Sequence, residues 1–573
     1  MDLNKAYQFW CDNATADPDL SKELAEIKGN DEEILDRFYR SLEFGTAGLR
    51  GVIGAGTNRM NIYTVNQATQ GLANYLNEKY PQACVAIAYD SRIKSDLFAR
   101  EAASVLAGNG IRVQIFPELV PTPCLSFAVR RLKCQSGIII TASHNPSKYN
   151  GYKCYGPKGF QMTDEDAAKV YKHIQQVDTF SGVKKITFEE GLEKGLITYI
   201  QPWLMEEFLD RVQEQSVNPS LAAQSGLKVI YTPLNGTGNK PVRAILDRIG
   251  IKDVTVVKEQ ENPDGTFPTC PFPNPEIQQV FEIALEMAKN NQPDLLLATD
   301  PDCDRVGIAV KDGTDYRLMS GNEVGALLMN YLLSQRKEKG TLPIKPIVVK
   351  TIVSTELCAA IAKKYGCELA NLLTGFKYIG ELVTDLEEKG ETARYVFGFE
   401  ESYGYLSGAH ARDKDAVVAS MLICEMAAFY KTQGKTLVDV MNDLYQAFGL
   451  YLNSVMNFVC EGAEGMQKMA QIMTDMRSNP PAAIAGKKVT FISDYLESSA
   501  HDVISGETQK ITLPKSNVLS YKLDGGASVI VRPSGTEPKI KVYITALGND
   551  MNSAQQLSEE LSADMKKILG FDK

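Results

Sequence analysis

Apolar and polar positions along this chain fall into two alternating kinds of segment. Short apolar runs such as Val85–Tyr89, Val113–Phe116 and Gly137–Ile140 have the length of buried strands, and the longer stretches between them carry helical spacing. The same alternation returns with Val229–Thr232 and Leu295–Ala298, and again with Ile347–Lys350 and Tyr395–Phe397. An N-terminal helix is predicted over Asp31–Leu42, capped by Asn30 with Glu33 three positions on. Alternation of this kind predicts mixed or parallel sheets covered by helices. After residue 455 the pattern changes to strand signals at Val489–Ile492, Ser528–Val531 and Ile540–Thr545, then a terminal helix near Ser553–Leu569. The expected fold is therefore α/β: three similar mixed α/β domains at 1–203, 204–325 and 326–454, and a C-terminal α+β domain at 455–573.

Four polar turns at the ends of such runs carry the candidate chemistry. The first, Thr141-Ala142-Ser143-His144-Asn145-Pro146, follows Gly137–Ile140 and sets a hydroxyl at a strand end, where exposure is expected, with His144 and Lys153 near it as donors and a proton carrier. The second, Asp300-Pro301-Asp302-Cys303-Asp304-Arg305, follows Leu295–Ala298. In an extended segment residues i, i+2 and i+4 point one way, so Asp300, Asp302 and Asp304 would gather three carboxylates around a hard cation such as Mg2+. An EF-hand loop needs Gly and Glu where this chain has Arg305 and Lys311, and that reading is rejected. Cys303 reads as a spacer.

The third turn, Gly398-Phe399-Glu400-Glu401-Ser402-Tyr403-Gly404, suits hydrogen bonding to a polyol, although taken alone it reads as a plain turn. The fourth, Arg532-Pro533-Ser534-Gly535-Thr536, joins two strand-like stretches and offers a guanidinium, two hydroxyls and backbone N–H groups to a phosphate.

In this order the four turns resemble the α-D-phosphohexomutase family of phosphoglucomutases and phosphomannomutases, and the resemblance covers nearly the whole chain. Further matching segments are Phe44–Gly51, Tyr89-Asp90-Ser91-Arg92, Asn150-Gly151-Tyr152-Lys153, Thr374-Gly375-Phe376-Lys377 and Arg412-Asp413-Lys414-Asp415. The sugar turn departs from the family's Gly-x-Glu-x-Ser by one added residue.

The resemblance implies a central active-site cleft between the domains. It implies a phosphoryl group carried on Ser143, Mg2+ held by Asp300, Asp302 and Asp304 with Ser143, and sugar hydroxyls met by Glu400 and Ser402. Lys377 and Lys414 would also meet substrate, and Arg532, Ser534, Gly535 and Thr536 would hold the non-reacting phosphate. Arg50 and Arg305 would stabilise the moving phosphoryl group, with His144 beside them; Lys153 is either proton carrier or phosphate counter-ion. The activity implied is a sugar 1-phosphate to 6-phosphate mutase for glucose or mannose, with a sugar bisphosphate as intermediate and activator. A phosphopentomutase is the alternative within the class, since Pro301 and Phe44–Gly51 resemble a longer branch that includes such enzymes. An aspartyl phosphatase or phosphotransferase would leave the serine turn and the fourth turn without a role, and a non-catalytic sugar-phosphate sensor would leave the nucleophile and metal loop without one.

Composition narrows the classes further. The 573 residues carry a net charge of −10, against a general nucleic-acid binder, so an anionic substrate must meet local cations such as Arg50, Lys153, Arg305, Lys377, Lys414 and Arg532. Eleven cysteines without a Cys-x-x-Cys spacing and only four histidines argue against a disulfide scaffold or a zinc module. His144 and His410 fall in functional-looking segments, His173 and His501 do not. Neither a signal peptide nor a membrane span is evident, Ala416–Tyr430 reading as a buried helix, so a cytoplasmic enzyme with a phosphosugar substrate, no nucleic-acid or membrane partner and no inferable protein partner is expected.

Overall fold

Strand-forming runs and helical stretches alternate in the structure as the apolar pattern requires. The computed structural model describes residues 3–45, 48–460, 462–534 and 539–572, so Thr46, Ala47, Gly535 and Thr536 of the motifs above lie outside the described residues. Packing gathers the chain into two compact units: residues 1–321 with 379–436, and residues 322–378 with 437–573.

The first unit contains two mixed sheets. One runs in the order Gly48–Val52, Tyr149–Tyr155, Ser136–Ile140, Cys84–Tyr89, Arg112–Ile115, Ile197–Tyr199; the last four strands are parallel and the first two antiparallel. The other runs Asp315–Met319, Val306–Asp312, Leu295–Thr299, Lys228–Thr232, Asp253–Val256, with its last three strands parallel. Parallel strands covered on both faces read as unbroken apolar runs, and Leu295, Leu296, Leu297 and Ala298 are all fully buried. In each sheet one parallel strand ends in a polar turn and the chain returns antiparallel beside it: Ser136–Ile140 into Tyr149–Tyr155, and Leu295–Thr299 into Val306–Asp312. Tyr395–Glu400 turns back into Gly404–Leu406 in the same way.

Three N-terminal helices, Leu3–Asn13, Pro18–Glu26 and Asp31–Phe38, add Trp10, Leu24 and Phe38 to the core of the first sheet. The third is capped by Asn30, whose side chain accepts from Glu33 N as expected. It stops at Phe38 rather than at Leu42, because the chain that follows bonds elsewhere: Thr57 Oγ1 donates to Arg40 O at 2.7 Å and Leu42 N donates to Thr57 O at 3.0 Å.

The second unit pairs Ile347–Thr351 in parallel with Glu368–Leu372, and it holds an antiparallel sheet in the order Leu450–Val459, Lys539–Gly548, Ser528–Pro533, Leu519–Leu523, Lys487–Asp494, Ser499–Asp502, Thr508–Lys510. Helices Gly462–Ser478 and Met551–Ile568 belong to this α+β part, and Met473, Leu561 and Met565 bury against Val529, Val531 and Val542. Among the described residues no helix is long and apolar enough to cross a membrane.

Leu296 packs with Ile230, Val280 and Phe281 and has no solvent exposure. Leu296→Ala is expected to cost about 2–5 kcal/mol, read as a lower urea midpoint of the first unit's transition with no change in the catalytic constants of the folded protein.

Candidate active site

The serine turn is fixed from beneath by the strand Ser136–Ile140 and from the side by one arginine. Thr141 N donates to Gly151 O, and Thr141 Oγ1 accepts from Ser143 N at 2.8 Å, a short side-chain-to-backbone turn. Arg92 donates to Ser143 O at 2.5 Å, to Pro146 O and Tyr149 O at 3.0 Å each, and to Asn145 O. Ser143 is left-handed, with φ 53°, a conformation that costs an L-residue about 1–3 kcal/mol and persists only where its surroundings enforce it. Contrary to the exposure expected at a strand end, Ser143 is only 4% exposed. Its hydroxyl donates to Asp300 Oδ2 at 3.0 Å and lies 3.2 Å from His144 Nδ1.

The three aspartates meet, but an extended segment does not bring them together. Residues 300–305 form a tight turn in which Cys303 is left-handed, with φ 50°, and Asp300 Oδ1 accepts from the backbone N–H groups of Asp304 and Arg305 at 3.1 and 3.0 Å. Thr122 and Lys153 hold Asp302 Oδ2 at 3.0 and 3.1 Å, and Lys414 lies 3.2 Å from Asp304 Oδ2. Asp302 Oδ1 and Asp304 Oδ1 are buried without a hydrogen-bond partner. One oxygen from each aspartate lies within 4.8 Å of the others. Two orphaned carboxylate oxygens and an all-oxygen donor set fit a hard divalent cation.

Electrostatics divide the site. Burial, and then the charges of Asp302 and Asp304, push Asp300 well above the usual carboxylate range. Burial opposes ionisation of Asp302 as well, but the charge and hydrogen bond of Lys153 hold it below that range. Asp304 is raised by burial and by Asp302, against the pull of Lys414. Burial works against the Lys414 ammonium, yet Asp304 and Asp413 hold it above its ordinary value. Desolvation, then the guanidiniums of Arg305 and Arg50, keep His144 well below an ordinary histidine, so it is neutral near pH 7.

The antiparallel pairing of Gly48–Val52 with Tyr149–Tyr155 places the remaining cations. Leu49 and Tyr152, directly opposite each other, point into the core, so Arg50 and Lys153 take the other face. Arg305 is anchored to Glu276 at 2.8 Å. Glu400 ends the strand Tyr395–Glu400 with 5% exposure, and Ser402 is in the turn after it. Lys414 lies along Gly404, where a Cβ would stand 2.1 Å from Lys414 Cδ. Lys377, Arg532 and Ser534 belong to the second unit: Lys377 Nζ sits 5.1 Å from the centroid of the Tyr378 ring, Arg532 pairs with Lys541 in the sheet, and Ser534 N donates to Lys539 O at 2.8 Å.

Family models for phosphoglucomutase/phosphomannomutase α/β/α domains I, II and III match residues 41–180, 206–313 and 320–448, and the model for the C-terminal domain matches 466–560. The chain belongs to the phosphoglucomutase/phosphomannomutase family. It is 35% identical over 557 residues to a phosphoglucomutase of Staphylococcus saprophyticus, covering 97% of this chain and 98% of that protein. To a Staphylococcus aureus phosphoglucomutase it is 37% identical over 542 residues, covering 94% and 95%. Solved structures share the fold: a putative phosphomannomutase from Thermus thermophilus at TM-score 0.68 and 22% identity, covering 93% of this chain and 99% of that one, and the open form of the Paramecium phosphoglucomutase pp63/parafusin at 0.67 and 18%, covering 93% and 96%. The chain is thus an enzyme, a mutase of the phosphoglucomutase/phosphomannomutase type.

Sequence reasoning passed over several residues that hold the serine and aspartate turns and their neighbours here. Arg92 belonged to a matching segment but was given no task; an Asp-Ser-Arg directly after a buried strand was its signal. Glu276, Thr122 and Tyr155, which donates to Asp413, lie outside the turns and had no local signal. His410 pairs through Nε2 with Asp415 at 2.7 Å, and Asp415 caps the helix Ala416–Lys431 by accepting from Val417 N and Val418 N. That pair pins the turn from which Lys414 projects.

Gly404→Ala is expected to push the Lys414 stem off its seat and lower kcat by up to about 10²-fold, with an unchanged circular dichroism spectrum; wild-type kcat would show that the Lys414 position does not matter.

Proposed function

We propose that this mutase interconverts glucose 1-phosphate and glucose 6-phosphate through a phosphorylated Ser143 and a glucose bisphosphate intermediate. The observation that carries the reading is the Ser143 hydroxyl, left-handed and clamped by Arg92, set 3.0 Å from the first of three buried aspartates. The choice of glucose over mannose or a pentose rests on the phosphoglucomutase relatives.

Asp300, Asp302 and Asp304, with Ser143, hold a divalent cation, Mg2+ by its preference for oxygen donors. When bound it supplies charge neutralisation for phosphoryl transfer. Ser143 gives its phosphoryl group to a sugar hydroxyl; the bisphosphate then turns over and returns its other phosphoryl group to Ser143, so the phosphate has moved between O1 and O6. Arg50 and Arg305 stabilise charge on the phosphoryl oxygens. Lys153 adds positive charge beside Asp302 and serves as proton carrier to the sugar oxygen, while neutral His144 accepts or donates at the Ser143 oxygen. Glu400, Ser402, Lys377 and Lys414 read the sugar. Arg532, Ser534, Gly535 and Thr536 hold the distal phosphate, which an arginine fork reads without regard to sugar stereochemistry. Four domains at 1–203, 204–325, 326–454 and 455–573 divide these tasks.

A panel of glucose, mannose, ribose and deoxyribose 1-phosphates, assayed with Mg2+ and a trace of the matching bisphosphate, tests the reading. Glucose 1-phosphate should give the highest kcat/KM, chelator should abolish turnover and Mg2+ restore it. Ser143→Ala should lower kcat by at least about 10³-fold. A pentose phosphate turned over fastest would replace glucose with pentose, and phosphate mapped to Ser147 with Ser143→Ala still active would overturn the nucleophile.

Arg532→Ala should raise KM in both directions by about 10-fold or more, the loss of a charged hydrogen bond, while Ser143 still accepts phosphate from the bisphosphate. Wild-type KM with every sugar phosphate would return the fourth turn to a hairpin without a binding role.

A further inference from the structure

Two buried thiols touch at the far rim of the first sheet. Cys84 Sγ and Cys134 Sγ lie 3.1 Å apart, with the residues 8% and 1% exposed. The backbone holds them in place from both sides: Cys84 O accepts from Gln135 N at 2.9 Å, and Cys84 N donates to Gln135 Oε1 at 2.8 Å. Both thiols are free. Neither residue takes part in the site described above, and a disulfide scaffold was set aside from cysteine spacing alone.

We propose that Cys84 and Cys134 are a reversible dithiol–disulfide site, oxidised by hydroperoxides and reset by small dithiols. Bonding needs the sulfurs to close from 3.1 Å to about 2.05 Å, a movement within the reach of side-chain torsions. The partners are unequal. Cys84 is 8% exposed and Cys134 only 1%, so a peroxide reaches the Cys84 sulfur first. Cys84 is therefore the attacking sulfur and Cys134 the resolving one. The Cys84 thiolate displaces hydroxide from hydrogen peroxide and becomes a sulfenic acid. The Cys134 sulfur then attacks it, forming the S–S bond as the hydroxyl leaves with the Cys134 proton as water. In sum, two thiols and one peroxide give one disulfide and two waters.

The position gives the bond a consequence. Cys84 opens the strand Cys84–Tyr89 and Cys134 stands two residues before the strand Ser136–Ile140; the two strands pair in parallel from Val85↔Ser136 to Tyr89↔Ile140. Their opposite ends lead to Arg92 and to Ser143, which that arginine clamps. A cross-link at the near end fixes the register of the two strands without touching the site. It also closes a chain segment with a sequence separation of 50, which restricts the unfolded state.

The test uses the wild-type chain, reduced and then exposed to stoichiometric hydrogen peroxide. Peptide mapping should recover a linked Cys84–Cys134 peptide, 2 Da lighter than the two thiol peptides together, ahead of any oxidation at the half-buried Cys11 and Cys367. Dithiothreitol should reverse it, and the oxidised protein should have a midpoint a few degrees higher on heating with kcat within about twofold. Cys134→Ser should leave a Cys84 sulfenic acid that dimedone captures. Oxidation of Cys11 or Cys367 without a linked peptide would overturn the proposal, as would a linked peptide whose formation lowers the midpoint.

Discussion

Three carboxylates buried within a few ångströms of one another are the constraint around which the first unit is organised. Two unit charges about 4 Å apart repel by about 4 kcal/mol even at an effective dielectric of about 20, so Asp300, Asp302 and Asp304 persist together only because each is tied separately. Asp300 takes two backbone N–H groups and a serine hydroxyl, Asp302 takes Thr122 and Lys153, and Asp304 takes Lys414. Those partners come from different elements, so bringing the anions together also brings together the serine turn, the helix Thr122–Arg131, the strand Tyr149–Tyr155 and the turn before Ala416–Lys431. Charge compensation and site assembly are one event, and it leaves two carboxylate oxygens without a hydrogen-bond partner, which fit a hard cation.

The repeated device beneath the chemistry is a buried strand, a polar turn and an antiparallel return. It occurs at Ser143, at Asp300–Asp304 and at Glu400–Gly404. A turn of this kind is held at both ends by hydrogen-bonded strands, which limits the path its backbone can take. That is why Ser143, Cys303 and Tyr403, none of them glycine, all take left-handed backbone there. The strain is enforced by neighbours, by Arg92 in the serine turn and by the Asp300 carboxylate in the aspartate turn.

Most of the fold was legible because parallel strands buried on both faces leave continuous apolar runs, and every such run named in the sequence became a strand. The turns were legible for the same reason: each interrupts apolar sequence abruptly with polar residues. Legibility failed where the cause was remote. The end of the helix Asp31–Phe38 is set by Thr57, and Ser143 is buried because the aspartate turn, distant in sequence, packs against it. The three aspartates were grouped correctly for a wrong reason, since period-two alternation assumed a strand where the backbone instead curls around Asp300. Glu276, Thr122 and Tyr155 left no trace at all, being single polar residues whose partners are set only by tertiary packing.

The order in which the chain is made bears on the serine. Ser143 and Asp300 are 157 positions apart, Lys153 and Asp302 149, and Tyr155 and Asp413 258. Synthesis proceeds from the N-terminus, and earlier segments fold first. A nascent chain can therefore complete the first sheet, with its serine turn, Arg92 and Lys153, long before Asp300, Asp302, Asp304 or Lys414 has left the ribosome. During that interval the Ser143 hydroxyl is without the Asp300 carboxylate to which it donates in the finished fold. The cluster closes only when Lys414, near the end of the first unit, reaches Asp304, so distance along the sequence times the assembly of the site.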